Sequence, residues 1–235
     1  MHYPRHIGII PDGNRTRAKE HDFPTVAGHK QWSDNVSALA RYIFEHTDID
    51  VMTTWGLSTE NMAERSPEEL SFLFELCQMA VERMIPLMEE HHISFRRAGS
   101  HVGMPDDLRD YLVQTQENYR YETDKTIVLA FNYGGRDEIL RAIQKIASQT
   151  DIQTLQTIDA ETLSDAMDFG WLPVVDLVVR TKWWYASRIS WFMLWWIGYA
   201  ELYFTDRYFP EFDVAALQEA LVWYDQRWEA RNFGK

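Results

Sequence analysis

The sequence predicts an α/β fold with a mostly parallel sheet, because short β-branched and aromatic runs alternate with stretches of helical period. Several runs are apolar nearly throughout, which is typical of strands covered on both faces. We expect residues 1–235 to form one domain. The predicted strands are His6–Pro11, Val51–Leu57, Ile93–Arg97, Thr126–Asn132, Val175–Thr181 and a shorter one at Leu202–Thr205.

Four apolar stripes with residues three and four apart predict helices between or after these strands. Ser66-Pro67 suits the start of the second helix, as a Ser cap followed by Pro at the first position. The polar stretch around Gln149–Thr157 predicts a surface excursion. The stripes are Val36, Leu39, Ala40, Ile43 and Phe44; Leu70, Leu73, Cys77, Ala80, Val81, Met84 and Met88; Ile139, Ala142, Ile143 and Ile146; and Leu217, Leu221, Tyr224 and Trp228.

Composition excludes several classes of partner. The formal net charge of −13 argues against nucleic acid, whereas a small anionic ligand needs only a local positive pocket. Cys77 is the only cysteine, so neither a disulfide framework nor a CxxC metal site is expected. The first ten residues do not resemble a signal peptide, and the most apolar run, Trp191–Phe204, contains Glu201 and is too short to span a bilayer. A cytoplasmic protein with at most peripheral membrane contact is predicted.

Charged residues follow the first predicted strand, where α/β sheets bind their ligands. The segment reads Asp12-Gly13-Asn14-Arg15-Thr16-Arg17. Gly13 permits a tight turn, and a carboxylate at the turn can hold Mg²⁺ beside basic side chains. Gly28-His29-Lys30 is expected to open the next helix, where free N–H groups favour an anion. The alternative is an ordinary Asp-Gly turn followed by a solvated basic face.

Polar groups also follow later strands. Ser58-Thr59-Glu60-Asn61, with Arg65 close behind, indicates part of a site or a turn and helix cap, which is the more common use of Ser, Thr and Asn. The Gly pair in Asn132-Tyr133-Gly134-Gly135-Arg136 is expected to make a turn. Arg180-Thr181-Lys182, followed by Arg188 and Ser190, predicts a second anion pocket, because Arg suits bidentate phosphate contact.

Two carboxylates, Asp12 and Glu201, are the candidate Mg²⁺ ligands. Glu201 lies in an apolar run, where an acid is paired, protonated or a metal ligand. Together with the two basic clusters, these acids predict an enzyme that handles two phosphorylated substrates.

The ordered motifs HIGIIPDGN, GHK, LSTEN, FNYGGR, VDLVVRT, R-x-S and YAELYF resemble the cis-prenyltransferases, the undecaprenyl diphosphate synthase family. The match runs from His6 to about Phe212. The resemblance implies six mainly parallel strands surrounded by helices, with a hydrophobic tunnel for the prenyl chain. It also implies a homodimer that uses Mg²⁺ to extend an allylic diphosphate, such as geranyl or farnesyl diphosphate, with isopentenyl diphosphate in cis geometry.

The resemblance assigns roles by position. Asp12 corresponds to the essential carboxylate that places Mg²⁺, Asn61 to the residue assigned to proton removal, and Glu201 to the second Mg²⁺ carboxylate. Gly13, Asn14 and His29 resemble the allylic diphosphate site, and Arg180, Arg188 and Ser190 resemble the isopentenyl diphosphate site. The resemblance implies that the stripe Leu70–Met88 lines the tunnel, whereas the stripe alone fits plain core packing equally well. All residues assigned to substrate binding are Gly13, Asn14, Arg15, Thr16, Arg17, His29, Ser58, Thr59, Glu60, Arg65, Arg180, Arg188 and Ser190.

Some positions depart from the family pattern. Thr16 and Thr25 replace two family arginines, and Trp183-Trp184-Tyr185 stands where Gly and a nearby acid are usual. The spacing from Arg180 to Arg188 is two residues longer than in the common bacterial form, and Trp191 replaces a small or amide residue. Ordinary cis elongation competes with head-to-middle coupling of the lavandulyl type, cyclisation or a short product, since aromatic faces stabilise cations. A non-catalytic partner subunit is the third alternative, although the Mg²⁺ carboxylate remains.

Asp106-Asp107-Leu108-Arg109-Asp110 has the DDxxD form of the metal motif of trans-prenyltransferases. Those proteins are all-helical, whereas this chain alternates strands and helices. We therefore expect the motif to mark a helix start, where acids favour the helix dipole.

Overall fold

The computed structural model describes residues 1–14, 25–182 and 187–228, without the side chains of residues 25–31 and 154. All six predicted strands are present within these ranges, and their bounds differ from the prediction by at most two residues. The strands are β1 (His6–Ile10), β2 (Val51–Ser58), β3 (Ser94–Ala98), β4 (Thr126–Tyr133), β5 (Leu177–Arg180) and β6 (Glu201–Phe204).

The four predicted stripes lie on helices, and several shorter helices join the strands and helices of the described chain. The helices are α1 (Thr25–His46), α2 (Thr59–Glu64), α3 (Pro67–His91), α4 (Asp106–Asn118), α5 (Gly135–Gln149), α6 (Ile152–Leu155), α7 (Ala160–Ala166) and α8 (Val214–Trp228).

The six strands form one sheet in the order β3-β4-β2-β1-β5-β6, and every pairing is parallel. The carboxyl ends of β1, β2 and β5 therefore meet at one edge in the middle of the sheet. All five residues of β1 are buried, which accounts for a sequence that is apolar after His6.

Helices cover both faces of the sheet. Ile7 and Ile9 point to the face on which α1, α3 and α8 pack, whereas Ile10 belongs to the cluster on the opposite face that includes Ala142 of α5. Alternate strand residues thus contribute to separate apolar layers. Ile143 departs from the predicted stripe, because its side chain is 40% exposed on the outer side of α5.

Local signals explain several boundaries. Ser66 caps α3 as predicted, and its Oγ accepts from the Glu69 N–H at 3.3 Å. Gly28-His29-Lys30 does not open α1 as predicted, because it lies inside the helix, within its first two turns. The excursion around Gln149–Thr157 contains the short helix α6.

No helix among the described residues is long and apolar enough to cross a membrane.

Candidate active site

A cavity of about 710 Å³ opens at the carboxyl ends of β1, β2 and β5. This is the edge at which parallel α/β sheets bind ligands. The cavity brings together eight of the residues predicted from the sequence. They are Asp12, Ser58, Glu60, Asn61, Arg65, Arg180, Arg188 and Ser190.

The turn after β1 places Asp12 at the cavity. Gly13 has φ +101°, and a Cβ there would lie 2.5 Å from Tyr208, so a side chain at this position would be strained and crowded. The Gly13 N–H donates to Asp12 Oδ1 at 2.7 Å. Thr181 Oγ1 accepts from the Asp12 N–H at 2.8 Å and donates to the Asp12 carbonyl at 2.7 Å, which fixes the turn to the end of β5.

Arg180 is the centre of the site. Its side chain, 6% exposed, donates to Asp12 Oδ2 at 3.0 Å through Nη2 and to Ser190 Oγ at 3.0 Å through Nη1. Nη1 also donates to the Arg188 carbonyl. One guanidinium therefore links the turn after β1 to the segment that begins near Arg188. Such planar, bidentate geometry is what Arg offers and Lys does not.

Buried polar atoms without a partner lie beside this network. Among the described residues, Asn14 Oδ1 and Arg180 Nε have none. An oxygen acceptor next to Asp12 suits a hard divalent cation, and a free guanidinium N–H suits a phosphate oxygen. The residues present therefore fit a diphosphate accompanied by Mg²⁺.

The end of β2 lines the opposite wall. The register shifts between Trp55 and Leu57, and the residues from Trp55 to Ser58 all reach the cavity. A regular strand would turn alternate side chains away. Ser58 then caps α2, with its Oγ accepting from the Asn61 N–H at 3.0 Å, and Arg65 donates to Asn61 Oδ1 at 3.4 Å.

The Gly pair allows close packing rather than only a turn. A Cβ at Gly134 would lie 2.5 Å from Thr59 Oγ1, and one at Gly135 would lie 2.5 Å from the Trp191 carbonyl. The Gly135 N–H donates to that carbonyl at 2.8 Å. The start of α5 is thus pressed against two neighbouring segments of the cavity wall.

Two tryptophans line the cavity: Trp191, noted from the sequence as a departure in the predicted acceptor region, and Trp55, which was not predicted to lie there. Trp55 is buried and donates from Nε1 to the Tyr133 carbonyl at 3.1 Å. Trp191 is 45% exposed, and the guanidinium of Arg136 lies 5.2 Å from its ring centroid. The position of Trp55 at the end of an apolar strand was a usable signal, whereas that of Trp191 depends on the fold of its turn.

The charge of the cavity differs from that of the chain. Its lining contains three arginines and two carboxylates, a local excess of one positive charge in a chain of net charge −13. A concave site that concentrates one sign of charge attracts the opposite charge. The cavity therefore suits an anionic ligand.

Glu201 does not lie beside Asp12 within one chain, so its role as the second Mg²⁺ carboxylate stays a prediction. It begins β6 opposite Leu177, whereas Asp12 follows Ile10, which pairs with Arg180. The three residues from Leu177 to Arg180 alone span roughly 10 Å along the strand. Two ligands of one Mg²⁺ lie within about 4 Å of each other, so a shared ion is incompatible with this register.

Several predicted residues cannot be compared with the cavity. Arg15, Thr16 and Arg17, and the segment Trp183-Trp184-Tyr185, fall outside the described residues, as does the side chain of His29. The DDxxD motif begins α4 as predicted, and none of its residues lines the cavity.

One further group of possible metal ligands, Glu45, Glu90 and His91, occurs among the described residues away from the cavity. Arg41 contacts both glutamates, at 2.5 Å and 3.6 Å, and already supplies a cation there. We therefore place no metal in this cluster.

Comparison with known proteins agrees with this geometry. The family described as "Putative undecaprenyl diphosphate synthase" matches residues 10–234. The chain belongs to the undecaprenyl diphosphate synthase family. It is therefore a prenyltransferase, an enzyme that transfers alkyl groups other than methyl.

Individual members of the undecaprenyl diphosphate synthase family resemble the chain over nearly its whole length. An isoprenyl transferase of Ralstonia nicotianae is 35% identical, covering 99% of this chain and 88% of the relative. A Pseudomonas aeruginosa relative, named ditrans,polycis-undecaprenyl-diphosphate synthase ((2E,6E)-farnesyl-diphosphate specific), is 36% identical, with 99% and 91% covered. The structure of lavandulyl diphosphate synthase from Lavandula x intermedia in complex with dimethylallyl diphosphate superposes with a TM-score of 0.90 at 30% identity, with 99% of each chain covered.

Proposed function

We propose that this protein condenses isopentenyl diphosphate with an allylic prenyl diphosphate by Mg²⁺-dependent cis elongation. The proposal depends mainly on one observation: the buried guanidinium of Arg180 donates hydrogen bonds to both Asp12 and Ser190 in the cavity. Homologues with polycis products support the elongation chemistry. We include the whole chain, residues 1–235, in one catalytic domain.

Two anion sites follow from the arrangement around Arg180. Arg180, Arg188 and Ser190 would bind the diphosphate of isopentenyl diphosphate, because two cationic groups and a hydroxyl meet there. Asp12, Gly13 and Asn14 would bind the allylic diphosphate, together with the predicted Arg15, Thr16, Arg17 and His29.

Asp12 and Asn14 would hold Mg²⁺, on the basis of the carboxylate and the unpartnered amide oxygen described above. When bound, the ion supplies positive charge that stabilises the diphosphate leaving group. Glu201 is left out of this site, because the register of β6 places it at the other end of the sheet.

The chemistry requires an allylic C–O bond to break and the terminal alkene of isopentenyl diphosphate to form the new C–C bond. The arginines stabilise the negative charge that develops on the departing diphosphate. Apolar walls at Ile10, Leu57 and Ile189 exclude the water that would trap the carbocation. The product alkene forms by proton loss, for which we propose Asn61, whose amide oxygen is oriented by Arg65.

The prenyl chain would pass between α3 and the sheet. Leu70, Leu73 and Phe74 in the first turns of α3 are only partly buried, whereas the stripe from Leu76 to Met88 is buried. We propose that these first turns line the mouth of the hydrophobic tunnel. We also propose a homodimer, on the basis of the family resemblance. The cytoplasmic location remains a sequence prediction.

A second candidate is head-to-middle coupling of the lavandulyl type. Trp55 and Trp191 line the same cavity as the arginines, and aromatic faces stabilise carbocations. The likeness to the lavandulyl diphosphate synthase structure also favours this candidate. It requires only dimethylallyl diphosphate, because one molecule alkylates another.

The two candidates are separated by one product assay. The purified protein is incubated with labelled isopentenyl diphosphate and dimethylallyl, geranyl or farnesyl diphosphate in turn, and with dimethylallyl diphosphate alone, each with Mg²⁺ or with EDTA. Products that grow in five-carbon steps only with Mg²⁺ support cis elongation. One branched or cyclic product from dimethylallyl diphosphate alone supports the second candidate. Activity only after addition of a partner protein would indicate the non-catalytic subunit.

A further inference from the structure

A turn with an unusual backbone, residues 188–193, presents Ser190 and the Arg188 carbonyl to Arg180. Ser190, Trp191 and Met193 have φ of +50°, +65° and +47°. Residues other than Gly seldom adopt such values, and they persist only where surrounding contacts determine them. The shape of the 188–193 turn must therefore be imposed by its neighbours.

Contacts from the sheet and from α5 hold this turn. Its Trp191 carbonyl accepts from the Gly135 N–H at 2.8 Å. The buried ring of Phe192 stacks on Trp55 at 5.1 Å and meets Tyr133 edge-on at 6.3 Å. Tyr133, at the end of β4, is thus a support for the turn.

Glu138, in the first turn of α5, is the polar group behind that support. It is fully buried, and its carboxylate accepts from Tyr133 Oη at 2.7 Å and from Trp196 Nε1 at 3.3 Å. It also accepts from the Asp168 N–H at 3.1 Å. Burial raises the pKa of Glu138 to about 7. A single carboxylate therefore joins β4, the stretch just beyond the 188–193 turn and the chain before β5.

Glu138 does not line the cavity, so any effect on substrate passes through the turn. The nearby cation is engaged elsewhere, because Arg141 pairs with Asp137 and Asp168, each at 2.7 Å. The acceptor capacity of Glu138 is thus used by three neutral donors. This arrangement suits a group that fixes the position of others.

We propose that Glu138 is a positioning residue for the acceptor diphosphate, holding the 188–193 turn so that Ser190 and Arg188 face Arg180. The inference rests on the proposed assignment of these residues to isopentenyl diphosphate. In this network the carboxylate oxygens accept from all three partners. A glutamine offers one oxygen and an NH₂ group, so the Tyr133 hydrogen bond would have to reverse and one oxygen would remain for the Trp196 and Asp168 N–H groups.

The test compares Glu138→Gln with Thr115→Val, which removes a buried hydroxyl that donates to the Tyr111 carbonyl in α4. Steady-state kinetics are measured with each substrate varied in turn, and urea unfolding is measured for both variants. We expect Glu138→Gln to raise the KM for isopentenyl diphosphate about ten-fold, with kcat and the allylic KM changed less than about two-fold. Thr115→Val should leave both KM values unchanged.

If Glu138→Gln fails to fold, Tyr133→Phe replaces it, because that change deletes one of the three hydrogen bonds and leaves a carboxylate in place. An intermediate rise in the same KM is expected. Unchanged KM values in a folded variant, or a parallel loss of kcat and both affinities, would overturn the proposal.

A failure of the proposed reaction can be distinguished from a failure of the positioning role of Glu138. If the wild-type protein does not consume isopentenyl diphosphate, calorimetry with inorganic diphosphate becomes the readout. Weaker binding by Glu138→Gln, by about ten-fold, would still support the positioning role. Equal binding by both proteins would refute it.

Discussion

Two acidic segments of this protein differ in their surroundings, and we therefore expect them to differ in function. Asp12 follows a central strand and pairs with Arg180, whose side chain is 6% exposed. Asp106 begins α4, and its side chain, 84% exposed, pairs with Arg109 on the surface. Asp107 accepts from the next backbone N–H, that of Leu108, at 2.9 Å. The DDxxD segment matches a metal motif more literally, yet only Asp12 lies among basic groups in a cavity.

The largest expected effect comes from exchanging one carboxylate in each segment. Asp12→Asn should lower kcat/KM about 10³-fold, because it removes the charge proposed to hold Mg²⁺ beside the diphosphate. Asp107→Asn should stay within about two-fold of wild type, since its contacts are local. Product formation by both variants under the same Mg²⁺ concentration checks this. Loss of activity in Asp107→Asn alone would reverse our site assignment.

The arginines that pair with Asp12 and Asp106, Arg180 and Arg109, give the next largest expected difference. Arg180→Lys should lower kcat/KM about 10²-fold, because a lysine lacks the planar fork whose two nitrogens contact Asp12 and Ser190 separately. Arg109→Lys changes an exposed pair and should have an effect below about two-fold. Kinetics with isopentenyl diphosphate varied provide the measurement. Equal effects of the two substitutions would show that Arg180 is not a ligand-binding group.

His6 lies at the start of β1, away from the cavity, and we expect it to affect stability rather than catalysis. The pH dependence of unfolding should show this effect. His6 is fully buried between Thr53 Oγ1 at 2.7 Å and the Pro173 carbonyl at 2.8 Å, and burial lowers its pKa to about 4. Between pH 6.5 and 4 the unfolded chain binds a proton at His6 that the folded chain does not. Stability from this residue is therefore full above pH 6.5 and falls as the pH drops toward 4.

Urea unfolding at pH 7 and pH 5 tests the titration of His6. Wild type should lose about 2 kcal/mol more of its unfolding free energy than His6→Gln over this interval. Glu138 titrates in the opposite sense, but it is present in both proteins and cancels in the difference. An identical pH dependence of the two proteins would mean that His6 is not a neutral core residue.

The smallest expected effects come from substituting the two serines that cap α2 and α3. Ser58→Ala and Ser66→Ala each remove an acceptor for one backbone N–H, at 3.0 Å and 3.3 Å respectively, and should each cost about 1 kcal/mol of unfolding free energy. Only Ser58 supports Asn61 at the cavity, so only Ser58→Ala should also lower kcat/KM, by about ten-fold. A similar activity loss in both variants would trace the effect to general destabilisation.

The strands and the main helices could be predicted from the sequence because local period and burial coincide in this fold. Asp12 and Arg180 could be assigned because Asp12 follows one strand and Arg180 ends another, and parallel strands end at the same edge. The same rule argues against Glu201 as a ligand beside Asp12 in one chain, because Glu201 begins β6 and therefore lies toward the other end of the sheet.

The sequence by itself determined the α/β class, the six strands and most of the cavity residues, since these depend on apolar patterning and on which residues follow each strand. Only the tertiary structure decided that Gly134 and Gly135 permit close packing, that Trp55 and Trp191 line the same cavity, and that Glu138 joins three segments. These relations depend on contacts between residues distant in the chain. No local propensity or spacing encodes such contacts.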